Sequence, residues 1–374
     1  MARSIDELVA EVKGLHHELD STAAEADELG TAPPALVDSI RKLRVAMVKA
    51  PKEIGGDEIK MHEQLLYFEA LSYSNPTAGW IGFNNAGAAS SAAAHLSDEG
   101  IEAVFGSNPS PTMGASAAPT GTFEHAKGGV LATGTYRYIS GVRHADWVFL
   151  PAVRPSDPPE VRLMVIDPAG VTLDDNWDVM ALKGTGSVNV HTNATFVPDF
   201  LTADPTLGRK RGGPIFTVGY QTFVAGENLG FTVGVCQRFV DEVAALATNK
   251  ARGTDGRLAD RGAFQYELGK AQLAVNAARA YGIDALRQAH EACDAAGGLK
   301  ASEEQAVVAM AAFCTESATN AISSLFHFTG AGAIFNSSVI QRCFRDAHGS
   351  AQHHVVSNVV YDRYGKSMME PYES

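Results

Sequence analysis

The stretch 133-TGTYRYISGVRHADWVFLPAV-153 decides how the chain folds, because it is built from residues that favour strands. Val, Thr and aromatic side chains dominate both halves, and Ser140-Gly141 breaks the run between them. Similar short runs, punctuated by Gly, Pro and Asp, extend from Met113 to about Pro198. The sequence EHAKGGVL carries a Gly-Gly turn between two of these runs. We therefore predict an antiparallel sheet or barrel in the middle of the chain.

Helical periodicity surrounds this central region. On the N-terminal side, an amphipathic segment begins with a capping box at Ser4 and Glu7, and a later Gly/Ala-rich segment is separated from the helix before it at Asn75-Pro76. On the C-terminal side, three long Ala-rich segments and a short last helix favour a four-helix bundle. The predicted fold class is α+β, mostly α. It comprises an N-terminal helical domain (1–112), a middle antiparallel β-domain (113–215) and a C-terminal helical bundle (216–374).

Composition excludes several classes of function. The 374 residues carry a formal charge of −13, which disfavours a nucleic-acid partner, since phosphate binding needs a clustered basic surface. No apolar run is long enough to predict a membrane span, and no signal peptide is visible. The four cysteines form no CxxC pair and are interpreted as buried free thiols in a reducing cytoplasm. We expect a cytoplasmic protein.

Three of the twelve histidines fall in 345-RDAHGSAQHHVVSN-358. They fit metal ligands, a general base or the polar face of a surface helix. A continuous helix would place His348 and His353 about 140° apart, so they would not share an ion. No HExxH, GxSxG or phosphate-binding glycine motif is present elsewhere. We predict no metal site, and the choice between a base and a structural role stays open.

Four motifs, in order along nearly the whole chain, resemble those of the acyl-CoA dehydrogenase superfamily. The stretch 133–153 is similar to the family's G-x-x-x-F-x-S-G/N-x-x-x-A-D strand pair beside the flavin ring. The stretch 181–199 resembles its G-x-x-G-T-x-S strand pair, and VKAPKEIGGDEI at 48–59 resembles its V-P-x-E-x-G-G turn. SSVIQRCFRDAHGSAQHH matches its entry into the last helix, whereas the final YGKSMMEPYES does not align.

Two branches of this superfamily remain as alternatives. Acyl-CoA dehydrogenases with bound FAD use a glutamate base, which in many members lies about nine residues after the Arg of the R-D pair. Here that position is His354, although some members take the glutamate from an earlier helix. The reduced-flavin, two-component monooxygenases resemble the chain more closely. They carry a histidine at the position of His353, a Ser-Gly matching Ser140-Gly141 and a segment similar to NPTAGWIGF.

The resemblance implies roles for individual residues. His353 would be the catalytic base, and Ser140 would be the hydrogen-bond partner of the flavin N5. His354 is placed with the substrate residues, although a helix would turn it about 100° from His353. The residues expected to contact flavin are Tyr138, Ser140, Gly141, Thr185, Ser187, Arg252, Gly330 and Gly332, the last three towards a neighbouring subunit. Those expected to contact substrate are Trp80, Phe83, His144 and His354.

The implied function is that of the oxygenase component of a two-component flavin monooxygenase. It would receive FMNH2 or FADH2 from a separate NAD(P)H-dependent reductase and react with O2 through a flavin C4a-hydroperoxide, hydroxylating an aromatic or polycyclic substrate. A homotetramer is the family's assembly. The alternatives are an FAD-containing acyl-CoA dehydrogenase and a subunit kept for assembly with an active paralogue.

Overall fold

The computed structural model describes residues 2–249 and 256–369. The N-terminal helices are α1 (Ile5–Gly14), α2 (His16–Ser21), α3 (Ala23–Leu29), α4 (Pro34–Lys42), α5 (Met61–Ser74), α6 (Pro76–His95) and α7 (Asp98–Ile101). The strands are β1 (Met113–Ala115), β2 (Gly121–Ala126), β3 (Gly129–Ile139), β4 (Trp147–Arg154), β5 (Glu160–Ile166), β6 (Thr172–Leu173), β7 (Val188–Pro198) and β8 (Thr202–Ala203). The C-terminal helices are α8 (Tyr220–Phe223), α9 (Ala225–Asn249), α10 (Gly262–Ala296), α11 (Ala301–Phe326), α12 (Val339–Ser350) and α13 (Val359–Met369). This succession confirms the predicted α+β, mostly α, fold class.

The sheet is mixed rather than wholly antiparallel. Its strand order is β6-β7-β3-β2-β4-β5-β8, and β1 pairs with β4 off this path. The pairings of β4 with β1 and with β2 are parallel, and β2 lies between β3 and β4. The two strands of the stretch 133–153 are therefore not neighbours, and the expected strand pair is wrong on this point. The hairpin of β2 and β3 does turn at the predicted glycines, where Gly128 has φ +78°.

Helix α6 connects the helical and β cores. Asn75 interrupts the preceding helix, and its side-chain oxygen accepts from the Ala78 amide at 3.0 Å, which caps α6. Pro76 then occupies the first helical position, where its missing amide hydrogen costs nothing. Sixteen of the twenty residues of α6 are buried, as expected for its small side chains. Ala86 packs in the helical core and Ala89 in the β core.

A glycine stripe brings the C-terminal bundle against the N-terminal helices. Gly226, Gly230 and Gly234 recur every four residues on α9 and face the backbone of α5. A Cβ at Gly226 would lie 2.6 Å from the Met61 carbonyl oxygen, and at Gly230 2.5 Å from that of Leu65. Because only glycine permits this approach, α5 and α9 pack backbone to backbone along three turns.

The structure also bears on the cysteines, on membrane insertion and on metal binding. All four cysteines are buried free thiols, as predicted. Across residues 2–249 and 256–369, no helix combines the length and apolar character needed to cross a membrane. In the same ranges, no three His, Cys, Asp or Glu side chains come together as metal ligands.

Candidate active site

A cavity of about 620 Å³ lies where α6, the end of β3 and the segment after α12 meet. Its walls include Trp80 from α6, Tyr138 and Ser140 from the end of β3, and His353 from the segment after α12. Trp177 forms another wall, and its indole nitrogen donates to the Lys183 carbonyl oxygen at 3.0 Å. Ser187 and His354 line the cavity too. Six residues predicted from sequence therefore meet in one place, although they lie up to 274 positions apart in the chain.

A bulge at the end of β3 aims Tyr138 and Ser140 at this cavity. The pairing of β3 with β7 shifts register between Tyr136 and Ile139. Within the bulge Tyr138 adopts φ +64°, which is uncommon for a bulky residue, and its side chain is 68% exposed. Gly141 follows with φ +71°, where a Cβ would lie 2.8 Å from Ile81 Cγ2. The Gly141 amide donates to the Thr185 carbonyl oxygen at 2.9 Å, which ties the bulge to a neighbouring loop.

Three hydroxyl groups run inward from the cavity wall. Ser140 Oγ lies 2.8 Å from Ser187 Oγ, which lies 2.7 Å from Thr185 Oγ1. Thr185 Oγ1 donates to the Leu182 carbonyl oxygen at 2.7 Å. Ser140 and Ser187 line the cavity, whereas Thr185 is fully buried behind them. Thr185 was expected to contact flavin; in this chain Ser187 stands between it and the cavity, and its role stays a prediction.

His353 does not lie on a helix. Helix α12 ends at Ser350, and His353 is extended, with φ −69° and ψ 137°. Its ring meets those of Trp80 and Phe83 edge-on, at centroid distances of 5.5 and 5.6 Å, and its buried Nδ1 atom has no hydrogen-bond partner among the described residues. Burial, and to a smaller extent the neighbouring His354, lower the pKa of His353 to about 3. The imidazole is neutral at physiological pH.

The other two histidines of this stretch have different surroundings. His354 also lines the cavity, so the predicted divergence of the two side chains around a helix is wrong. Its ring stacks on Tyr220 with centroids 5.6 Å apart, and burial lowers its pKa. His348 lies on α12, within 2.9 Å of Ser323 Oγ and packed against Phe344. It is a structural side chain between α11 and α12.

Several sequence predictions do not lead to this cavity. His144 is not among its walls, because the ring instead approaches Thr31 Oγ1 at 3.0 Å. Gly330 and Gly332 lie in the turn after α11, outside the cavity of their own chain. Since they were expected to face a neighbouring subunit, their role stays a prediction. Arg252 lies outside the described residues.

A second cavity of about 410 Å³ adjoins the first. The two share Asn84, residues 115–117 and Tyr220. Phe83 faces this second cavity together with three aromatic residues from other elements, namely Phe149, Phe216 and Phe223. Phe83 was predicted from sequence to contact substrate, whereas no motif pointed to Asn84, Trp177 or Tyr220. Residues at i and i+4 share a helix face, so the placement of Trp80 could have suggested Asn84.

Comparisons with known proteins agree with this architecture. Residues 229–358 match the family model for the acyl-CoA dehydrogenase C-terminal domain. The FADH2-dependent resorcinol hydroxylase oxygenase component of a Rhizobium species is 24% identical over 97% of this chain and 94% of its own. The flavin-dependent monooxygenase oxygenase subunit HsaA of Rhodococcus jostii is 26% identical over 90% of this chain and 91% of its own.

A solved structure extends the likeness to the whole fold. XiaF from Streptomyces sp., determined with FADH2 and glycerol, superposes with a TM-score of 0.89 at 25% identity, covering 98% of this chain and 96% of XiaF. The match spans the helices and strands that form the cavity, and it agrees with the sequence relatives in pointing to one branch. Residues 229–358 therefore carry an acyl-CoA dehydrogenase C-terminal domain, and the chain as a whole resembles the oxygenase components of two-component flavin-dependent monooxygenases in sequence and fold.

Proposed function

We propose that the chain is the oxygenase component of a two-component flavin monooxygenase that hydroxylates an aromatic or polycyclic substrate. The observation that carries this proposal is the lining of the 620 Å³ cavity, which includes both Ser140 and a neutral His353. Among the described residues that line it, there is no Asp or Glu. An acyl-CoA dehydrogenase would need a carboxylate there to remove the substrate's α-proton.

The cavity suits a reduced flavin. Its volume lies within the roughly 300–1,000 Å³ typical of sites for small ligands, and its walls are largely apolar and aromatic. Tyr138 and Trp177 offer flat surfaces for the isoalloxazine ring, and Ser140 offers a hydroxyl oxygen for its N5 position. When bound, reduced flavin supplies two electrons to O2, of which one oxygen atom enters the substrate and the other leaves as water.

His353 acts in this proposal as a neutral hydrogen-bonding group. A neutral imidazole donates from one nitrogen and accepts at the other, and the partly buried His353 ring lines the cavity, where it can offer such a group to a bound molecule. Trp80 and Phe83 hold the ring in place. The low pKa argues against a standing imidazolium, so His353 would orient a substrate hydroxyl and accept its proton only as negative charge develops on that oxygen.

The 410 Å³ cavity is the proposed substrate side. Phe83, Phe149 and Phe223 give it the apolar surface that an aromatic ring needs, and Asn84 and Tyr220 form the boundary with the flavin side. Apolar walls also exclude water, which protects a reactive oxygen species from side reactions. Relatives named for resorcinol and indole-3-acetate are consistent with a substrate of this class.

The partner and assembly follow from the same proposal. An oxygenase component that takes reduced flavin as a co-substrate requires a separate NAD(P)H-dependent reductase to supply FMNH2 or FADH2. Large exposed apolar side chains lie on the outer surface of the bundle, including Tyr266, Leu273 and Phe313. Such surfaces favour self-association, and a homotetramer would cover them. Light scattering of the purified protein would test that state.

The deciding experiment is anaerobic mixing of the protein with FMNH2 or FADH2, followed by rapid mixing with oxygenated buffer. We expect the protein to delay reoxidation of the flavin relative to free flavin, and the flavin with the longer delay is the preferred one. Reoxidation at the rate of free flavin would contradict the proposal. A His353→Asn variant is the matched comparison. It should still bind reduced flavin but convert less substrate per flavin oxidised.

A further inference from the structure

The hydroxyl chain behind the flavin site has a fixed direction. A carbonyl oxygen has no proton, so the Thr185 hydroxyl must donate to Leu182, at 2.7 Å. That uses the only proton of Thr185. Ser187 must then donate to Thr185, at 2.7 Å, and Ser140 must donate to Ser187, at 2.8 Å. All three protons point away from the cavity.

The surroundings hold this direction in place. All three residues are at most 3% exposed, so bulk water does not compete for their hydroxyl protons. The loop that carries the terminal carbonyl is tied down as well, since the Leu182 amide donates to Asp346 Oδ1 at 2.6 Å. Ser140 therefore presents only lone pairs to the cavity.

This fixed direction of the hydroxyl protons distinguishes the two redox states of a flavin. In reduced flavin N5 carries a hydrogen and donates, whereas in oxidised flavin N5 has only a lone pair and accepts. We propose that the Ser140–Ser187–Thr185 chain makes the site select reduced flavin and reject its oxidised form. The proposal rests on the proposed function, namely that reduced flavin binds here with N5 at Ser140. Its consequence is that oxidised flavin is released after each turnover and becomes available to the reductase.

Two substitutions reverse the polarity without touching Ser140. Ser187→Ala removes the acceptor of the Ser140 proton, which can then turn towards the cavity. Thr185→Val removes the acceptor of the Ser187 proton, which can then turn to Ser140 and release the Ser140 proton. Thr185→Ser keeps the hydroxyl and is the matched control. Because Thr185 does not line the cavity, an effect of Thr185→Val cannot come from lost contact with flavin.

The experiment measures dissociation constants of oxidised and reduced FMN and FAD, the latter anaerobically, for each full-length variant. We expect the wild type and Thr185→Ser to favour the reduced form. In Ser187→Ala and Thr185→Val that preference should fall roughly tenfold, the worth of about one hydrogen bond to a buried group. The ¹⁵N5 resonance of bound oxidised flavin should also report a new donor in both variants.

The outcomes separate the two proposals. If the wild type binds reduced flavin tightly and the preference is the same in all four proteins, the chain does not select the redox state, while the oxygenase proposal stands. If the wild type binds neither oxidised nor reduced flavin, the proposed function itself is refuted. A fall in Thr185→Ser as large as in Thr185→Val would also overturn the hydrogen-bond argument, because it would reflect packing rather than proton direction.

Discussion

The buried ion pair of Lys49 and Glu227 joins the N-terminal segment to helix α9 beside the proposed substrate cavity. Lys49 Nζ lies 3.0 Å from Glu227 Oε2, and both side chains are at most 1% exposed. Nζ also donates to the Phe223 carbonyl oxygen at 2.8 Å and lies 3.6 Å from the centre of the Phe223 ring. Burial lowers the pKa of Lys49 and raises that of Glu227 to about 7, and mutual attraction opposes both shifts.

The consequences of breaking the pair differ from those of removing it. Lys49→Met leaves the carboxyl group of Glu227 buried without a partner, so the free energy of unfolding should fall by about 3–5 kcal/mol. Replacing both residues, as Lys49→Met with Glu227→Leu, removes both desolvation penalties. The double variant loses mainly the hydrogen bond to Phe223, about 1 kcal/mol, so it should be more stable than Lys49→Met alone. The predicted coupling energy is therefore several kcal/mol.

Urea unfolding of the wild type, both single variants and the double variant would measure this coupling. The deficit of Lys49→Met should also depend on pH. Without Lys49, the folded-state pKa of Glu227 rises further above its unfolded value, so the folded state binds the extra proton. The difference in the free energy of unfolding between the wild type and Lys49→Met should therefore shrink as pH falls from 8 to 5. Additive losses in the double variant, or a deficit that grows as pH falls, would refute this reasoning.

Three other perturbations test the cavity itself. Gly141→Ala should cost about 1–2 kcal/mol from its positive φ alone, and the clash with Ile81 should displace the bulge and weaken flavin binding in an equilibrium titration. The pKa of His353 lies well below its unfolded value, so the unfolded state binds more protons between about pH 6.5 and 3. Over that range the free energy of unfolding of the wild type should fall by up to about 1.4 kcal/mol per pH unit relative to His353→Asn as the pH is lowered. Urea unfolding of both proteins would measure this difference. Asp346→Ala removes the acceptor of the Leu182 amide and should weaken flavin binding, whereas Asp346→Asn keeps an oxygen there and should retain most of it.

Features set by local sequence could be predicted. Asn75-Pro76 contains both an N-cap and a residue suited to the first helical turn, so the break before α6 follows from these two residues alone. Ser140-Gly141 follows a strand-forming run and ends it, which placed Ser140 at the edge of the sheet. The fold class followed from the same kind of evidence, because the helical and strand periods each persist over many residues.

The end of α12 depended on distant parts of the chain. No Gly or Pro follows Ser350 before His353, so the local sequence gives no stop signal. The structure ends the helix where Ser350 meets Thr232 at 3.1 Å, and the chain then turns to bury Val355. That burial requires an extended backbone at His353. The assumption of a continuous helix therefore gave the wrong directions for the side chains of His353 and His354. The position of His144 away from the cavity could not be predicted for a similar reason, since its partner Thr31 lies 113 residues away.

The polarity of the cavity connects these observations to its chemistry. Among the described residues that line it, Arg137 is the only one with a permanent charge. A buried neutral imidazole and a serine that only accepts leave a site that changes protonation little over the physiological range. In such a site, proton positions are set by hydrogen-bond geometry rather than by solution pH. Under the proposal, selectivity for the redox state of a bound flavin comes from a fixed hydroxyl direction, which the Leu182 carbonyl sets through Thr185 and Ser187.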